Sequence, residues 1–109
     1  MNHFEITGNL VNDVEIRFMS NQKPMALFRI AENIYDYKTK QKKGQFFNVV
    51  AFGKDAENIS EYFQKGSRIH VQGHIEQRKY EKDGVNQLWY SIVVEHWEFC
   101  ERRKEEKAE

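Results

Sequence analysis

Apolar and polar residues alternate through the first third of the chain, and this alternation predicts two β-strands. The first strand starts at Phe4, bends or bulges at Gly8 and resumes toward Phe18. Turn residues separate it from a second strand, in which alternate positions from Ala26 to Ile30 share one apolar face. We expect the second strand to pair with the first.

A third strand with two apolar faces follows a polar loop at residues 36–45. Alternate positions from Phe47 to Ala51 form one face, which we assign to the core. Phe46 and Phe52 lie on the opposite face. Because a small barrel buries only the inward face of each strand, this second face needs another role.

The hydrophobic period changes from that of a strand to that of a helix in the middle of the chain. Ala56, Ile59 and Phe63 lie at helical spacing, which predicts a helix of about three turns. The pair Lys65-Gly66 is interpreted as a C-terminal cation followed by a helix-ending glycine.

Two further strands are predicted after the helix. Ile69 begins the fourth strand, Gly73 provides a bend, and Asp83-Gly84 forms a hairpin turn into a fifth strand at residues 88–99. The fifth strand is apolar on both faces, with Leu88, Tyr90 and Ile92 opposite Trp89, Val93 and Trp97. Since one small core cannot bury both faces, we expect subunit contact there.

Five strands with one helix between the third and the fourth are the element order of the OB-fold, an all-β, five-stranded Greek-key barrel. A different small β-barrel has a similar order and stays open as an alternative. The 109 residues suffice for one domain with one core. We assign residues 1–100 to this domain and residues 101–109 to a charged tail.

The charges balance, with 17 basic and 17 acidic residues, so no global basic field indicates a nucleic-acid-binding protein. Their distribution is uneven, because four lysines without an acidic neighbour lie in the polar loop. These are Lys38, Lys40, Lys42 and Lys43. A solvated loop and a phosphate-binding loop are both compatible with them. The position of the loop beside Phe46 favours phosphate binding.

Catalytic and metal-binding motifs are absent from the sequence. His70 and His74 share a strand face but lie roughly 13 Å apart, too far to hold one ion, so we expect structural or interface histidines. No cofactor is predicted. A lone Cys100 and the lack of an apolar segment of membrane-spanning length indicate a cytoplasmic protein without a membrane partner.

The chain resembles the bacterial single-stranded DNA-binding protein (SSB) family over nearly all of residues 2 to 99. The resemblance lies in NHFEITGNLVNDVEIR, in PMALFRIAEN and above all in VVAFGKDAENISEYFQKGSRIHVQGHIEQRKY. It implies an OB-fold, a homo-oligomer that is usually a tetramer, with a dimer as the alternative, and sequence-tolerant binding to single-stranded DNA in replication, recombination or repair.

The resemblance also implies which residues contact DNA. Those aligned with base-stacking aromatic residues are Tyr35 or Tyr37, Phe46, Phe52 and Tyr80. Those aligned with phosphate-contacting cations are Arg17, Lys54, Lys65, Arg78 and Lys79. Other roles are compatible with three of them: Phe52 in the core, Tyr80 as support for the hairpin, and Lys65 near a helix C-terminus.

The sequence departs from the family pattern in several places. Asn48 and Glu76 lie where basic residues are usual, and the loop after Tyr37 is shorter than in typical members. Typical members continue through a flexible linker to an acidic tip that recruits replication and repair proteins, whereas this sequence stops at Glu109. We therefore expect a truncated chain or a compact form, such as a phage or mobile-element protein.

Two other functions are compatible with the predicted fold. A primosomal OB-fold adaptor is also short and docks replication proteins. An OB-fold nuclease is suggested only by the acidic residues in the loops. We expect a DNA-binding protein without enzymatic activity.

Overall fold

The computed structural model describes residues 1–100, which form six β-strands and one short α-helix. The elements are β1 (Phe4–Leu10), β2 (Glu15–Phe18), β3 (Pro24–Asp36), β4 (Gln41–Phe52), α1 (Lys54–Tyr62), β5 (Arg68–Lys82) and β6 (Val85–Phe99). The predicted charged tail at residues 101–109 lies outside the described residues. None of the helices in residues 1–100 is long and apolar enough to cross a membrane.

The strands form one sheet in the order β1-β5-β6-β4-β3-β2, and a further pairing between β1 and β3 closes it into a ring. The β1–β3 contact consists of two residue pairs, Leu10–Ile30 and Asn9–Ala31. All pairings are antiparallel except β4–β6, which is parallel at Val49–Ile92 and Val50–Val93. The ring with one helix between β4 and β5 confirms the predicted all-β, OB-type barrel.

The predicted first strand is two strands, so the sheet has six strands instead of five. Asn12 and Asp13 interrupt it, because their side chains accept hydrogen bonds from backbone N–H groups elsewhere in the chain. Asn12 Oδ1 accepts a hydrogen bond from the Arg29 backbone N–H at 3.1 Å, and Asp13 Oδ1 accepts one from the Lys65 backbone N–H at 2.8 Å. As expected, both pieces pair with the predicted second strand, now β3.

Alternate residues of the strands meet inside the ring, where helix α1 also contributes. The largest fully buried side chains are Leu10, Ile30, Val49, Ile59, Ile69 and Val71. The predicted inward positions of the third strand are confirmed, because Val49 and Ala51 are buried and Phe47 packs against the core. One hydrophobic core therefore serves the barrel.

Helix α1 ends earlier than predicted. Phe63 already has extended backbone angles, which carry its ring into the core. The assignment of Gly66 as the helix-ending glycine is therefore wrong. Gly66 has a φ of 93°, and its backbone N–H donates to the Leu10 carbonyl at 2.9 Å, so it shapes the turn into β5. Lys65 lies in that turn, outside the last turn of the helix.

The predicted loop at residues 36–45 is also wrong. Strands β3 and β4 stay paired up to Asp36 and Gln41, and a tight turn in which Lys40 has a φ of 58° joins them. This end of the hairpin is exposed to solvent on both faces, so the residues of β4 from Gln41 to Gln45 are polar and show no alternation. Lys42 and Lys43 lie on a strand, whereas Lys38 and Lys40 lie in the turn.

The hairpin turn at Asp83-Gly84 is confirmed, because both residues have positive φ angles, 55° and 77°, as a type I′ turn requires. The bend at Gly73 is confirmed too, since the β5–β6 register shifts between Gln72 and Gly73. A Cβ atom on Gly73 would lie 1.9 Å from the Val93 carbonyl oxygen. Only glycine allows β5 and β6 to approach this closely.

We predict that Gly73→Ala destabilises the protein by at least about 1–3 kcal/mol, because the added methyl group forces the two backbones apart. Gly44→Ala is the matched control. Gly44 also lies on a strand, but a Cβ atom added there would meet no atom closer than 3.5 Å. Urea unfolding of both variants measures the effect. Equal stability of the two variants would contradict the close approach.

Candidate nucleic-acid interface

Strand alternation divides the barrel wall into a face toward the core and a face toward solvent. Val49 and Ile92 are paired and buried, so their neighbours Val50 and Val93 point the other way. The strand registers extend this solvent-directed side across four strands. We call it the outer face, and its members include Tyr35, Phe46, Asn48, Phe52, Arg78, Tyr80, Trp89 and Ser91.

Four of the five predicted stacking residues lie on the outer face. Tyr35, Phe46 and Tyr80 have exposed fractions of 48%, 56% and 44%, which leaves a ring surface open on each. Phe52 is half-buried and lies beside Met25 of β3. Tyr37 lies in the β3–β4 turn, where its ring contacts that of Tyr35 at a centroid distance of 4.9 Å.

The predicted cations divide between the two sides of the sheet. Arg17 pairs with Met25, and Arg78 pairs with Trp89, so both arginines lie on the outer face. Lys42 pairs with Tyr35 and therefore also lies on the outer face.

The remaining predicted cations lie elsewhere. Lys43 and Lys79 point to the opposite side of their strands, where their partners are Ile34 and Leu88. Lys54 begins helix α1, and Lys38, Lys40 and Lys65 lie in turns. The structure does not bring these residues onto the outer face, and their contact with DNA stays a prediction.

A groove of about 440 Å³ crosses the outer face between the strands. Three arginines line it, from three different strands: Arg17, Arg29 and Arg78. Val50 and Trp89 also line it, together with one acidic residue, Glu15. The groove therefore combines apolar surface with cations, which is the arrangement that single-stranded nucleic acids require.

Two residues of this surface were missed as candidate contacts at the sequence level. Arg29 lies with its guanidinium carbon 5.3 Å from the centroid of the Phe46 ring, a cation–π contact. Trp89 was assigned to subunit contact, although it is 47% exposed beside the groove. Strand alternation could have identified both residues, because Arg29 and Trp89 each lie an even number of positions along their strand from another residue of the outer face.

Glutamates contact the three histidines of β5 and β6, which are His70, His74 and His96. His74 donates through Nδ1 to Glu95 at 2.7 Å and through Nε2 to Glu76 at 2.9 Å. Both ring nitrogens must carry a proton to do so. The hydrogen bonds to Glu76 and Glu95 accordingly raise the pKa of His74 above its ordinary value of 6.5.

The second histidine cluster lies on β1 and β5. Hydrogen bonds from Gln72 and His70 hold the pKa of Glu5 below its ordinary value of 4.5. Thr7 contacts the other ring nitrogen of His70 at 2.7 Å. Within residues 1–100, no group of three or more histidine, cysteine or acidic side chains has the geometry of a metal site.

These features define an OB-type β-barrel whose outer face carries exposed aromatic rings and an arginine-lined groove. The model of the single-strand binding protein family matches residues 1–100, and the chain belongs to this family.

Named relatives agree with this membership. The chain is 35% identical to the "Single-stranded DNA-binding protein" of Fusobacterium nucleatum over 106 residues, which cover 94% of this chain and 69% of the relative. It is 33% identical to "Single-stranded DNA-binding protein 1" of Streptococcus pyogenes, covering 94% and 81% of the two chains. "Single-stranded DNA-binding protein 2" of Streptomyces coelicolor is 36% identical, covering 83% and 48%. The primosomal adaptor alternative receives no support from these matches.

We predict that His74 makes stability depend on pH. Its raised pKa means that folding favours the protonated ring, so the contribution is complete below the unfolded pKa near 6.5 and is lost as the pH rises through the folded value. His74→Gln should remove this pH-dependent loss of stability, and urea unfolding at pH values from 5.5 to 8.5 measures it.

The control is His96→Gln, which removes an imidazole that contacts the single carboxylate of Glu98. If His74→Gln and the wild type lost stability in parallel over this pH range, the charged bridge between Glu76 and Glu95 would be contradicted.

Proposed function

We propose that the protein binds single-stranded DNA without strong sequence preference and protects it during replication, recombination or repair. The observation that carries this proposal is the outer face, on which Tyr35, Phe46, Phe52 and Tyr80 accompany an arginine-lined groove. Family membership and the printed names of the relatives support it.

Base stacking supplies the apolar part of the binding energy. Each base that stacks on an aromatic side chain contributes about 1–3 kcal/mol, and every base has a flat surface to offer. The exposed rings of Phe46 and Tyr80 are suited to this contact. Because stacking does not distinguish base edges, binding of this kind tolerates any sequence. Duplex DNA keeps its bases stacked inside and is a poor ligand for such a surface.

Phosphate neutralisation supplies the electrostatic part. Arg29 and Arg78 lie on different strands of the same groove, so a backbone that crosses the sheet passes both cations. Arg17 joins them, although it is held by Glu15 at 2.7 Å. An exposed ion pair contributes at most about 1 kcal/mol, so a phosphate can displace Glu15 at little cost.

We further propose that the protein works in the cytoplasm as a homo-oligomer, a tetramer by the resemblance. Apolar side chains on the β5–β6 hairpin support self-association, because Ile75, Leu88 and Tyr90 are 37%, 50% and 53% exposed on the side opposite the outer face. Burial of these side chains in a contact with a second subunit would remove apolar surface from water. Light scattering of the free protein measures the number of subunits.

Binding without chemistry is part of the same proposal. The residues of the outer face are suited to stacking and to charge neutralisation, and residues 1–100 contain no group of three or more histidine, cysteine or acidic side chains that could hold a metal ion. An end-labelled single strand that is incubated with the protein and Mg²⁺ should keep its length. Shortening of the strand would favour the nuclease alternative.

We predict that Tyr80→Ala and Phe52→Ala each weaken binding of a labelled oligonucleotide by about 1–3 kcal/mol, because each removes one stacking surface. Tyr80→Phe is the matched control, since it keeps the ring and should bind like the wild type. Fluorescence anisotropy measures affinity, and circular dichroism verifies the fold. Normal binding by both alanine variants would contradict the assigned face.

We predict a steep dependence of affinity on salt. If about five phosphates are neutralised per bound segment, log K plotted against log salt concentration should have a slope near −3.5 for a single strand. Duplex DNA of the same sequence is the control and should bind far more weakly. A flat salt response, or equal affinity for the duplex, would contradict the proposed function.

A further inference from the structure

Trp89 lies on the outer face but is not among the proposed DNA-contacting residues. It lies on β6, between Phe46 on β4 and Tyr80 on β5, and about half of its surface is exposed. Its cross-strand partner is Arg78. Trp89 adjoins further exposed apolar side chains, among them Phe46 and Leu88, and a contiguous exposed apolar patch of this kind marks a binding surface.

The register of the sheet places Trp89 level with Phe46. The parallel strands β4 and β6 pair at Val49–Ile92, and Phe46 and Trp89 each precede that pair by three residues. Beyond the paired positions an opening of about 410 Å³ lies between the strands, and Phe46 and Trp89 both line it. The two rings therefore stand on either side of the same opening.

Trp89 also lines the arginine groove, together with Asn48 and Ser91, and these three residues border the opening as well. The groove and the opening thus share part of their lining, and Trp89 belongs to both. A strand that leaves Phe46 and continues toward Tyr80 has to cross β6 at this place. The side chain that it meets there is Trp89.

We propose that Trp89 is a further base-stacking residue, which carries the bound strand across β6 between Phe46 and Tyr80. The inference rests on the proposed function, since it names a contact within the same surface. Indole offers the largest flat ring of any side chain, and the neighbouring Arg78 is placed to neutralise the phosphate of the stacked nucleotide. Burial of Trp89 in a subunit contact is the competing role.

Intrinsic fluorescence isolates this residue, because the chain contains two tryptophans, Trp89 and Trp97. Trp97 packs edge-on against Phe63 and Phe99 at centroid distances of 5.5 and 5.3 Å, against the core. In the variant Trp97→Phe, all tryptophan emission comes from Trp89. In the variant Trp89→Phe, it comes from Trp97.

The experiment titrates full-length wild type and both variants with an oligothymidylate, following tryptophan emission, while the anisotropy of a labelled oligonucleotide reports binding independently. We expect quenching in the wild type and in Trp97→Phe, and none in Trp89→Phe, although that variant binds. Trp89→Ala should weaken binding by about 5- to 150-fold.

Each other outcome overturns the inference. Binding that leaves Trp89 emission and Trp89→Ala affinity unchanged rules out the contact while the proposed function stands. A change of subunit number in Trp89→Ala, measured by light scattering, assigns the residue to subunit contact. If the wild type itself does not bind the labelled strand, the proposed function fails, and the inference fails with it.

Discussion

The short parallel pairing between β4 and β6 is the contact on which both the barrel and its surface depend. It consists of two residue pairs, Val49–Ile92 and Val50–Val93, and it joins the two halves of the sheet. Because it is short, the β3–β4 and β5–β6 hairpins separate beyond it and leave an opening between them. Closure of the core and the opening between Phe46 and Trp89 are therefore consequences of one pairing, and the arginine-lined groove lies over the paired residues Val49 and Val50.

Local pairing explains how a chain of zero net charge presents a cationic groove. Glu15, which lines the groove, pairs with Arg17, and Glu76 and Glu95 on the neighbouring strands are engaged by His74. Arg29 is engaged differently from Arg17. Its guanidinium lies over the ring of Phe46, and a contact with a ring face leaves its N–H donors available to a phosphate. Where the charges lie, and not their sum, determines the potential that a ligand meets.

Elements whose residue types are restricted by burial or by turn geometry could be predicted from the sequence, and the β3–β4 hairpin could not. Alternation located the strands around Phe28 and Val49, and turn chemistry located Asp83-Gly84, because burial and positive φ angles restrict residue type. Both faces of the β3–β4 hairpin are exposed to solvent around Lys42, so the composition of this part of β4 is that of a loop. The interruption at Asn12 depends on hydrogen bonds to distant backbone, which no local pattern contains. The family resemblance supplied the candidate contacts, but only the register separated Arg78 from Lys79.

The spacing of the aromatic rings bears on how a bound strand is held. Phe46 and Phe52 are six residues apart on one strand, which places them about 20 Å from each other. At about 3.4 Å per nucleotide, the spacing within one strand of a duplex, roughly six nucleotides would span that distance along β4. If Phe46 and Phe52 stack bases as proposed, the nucleotides between them would be held through their phosphates or by rings on neighbouring strands. Phosphate contacts carry no sequence information, so a surface of this kind would bind by charge and by stacking, whatever the order of the bases.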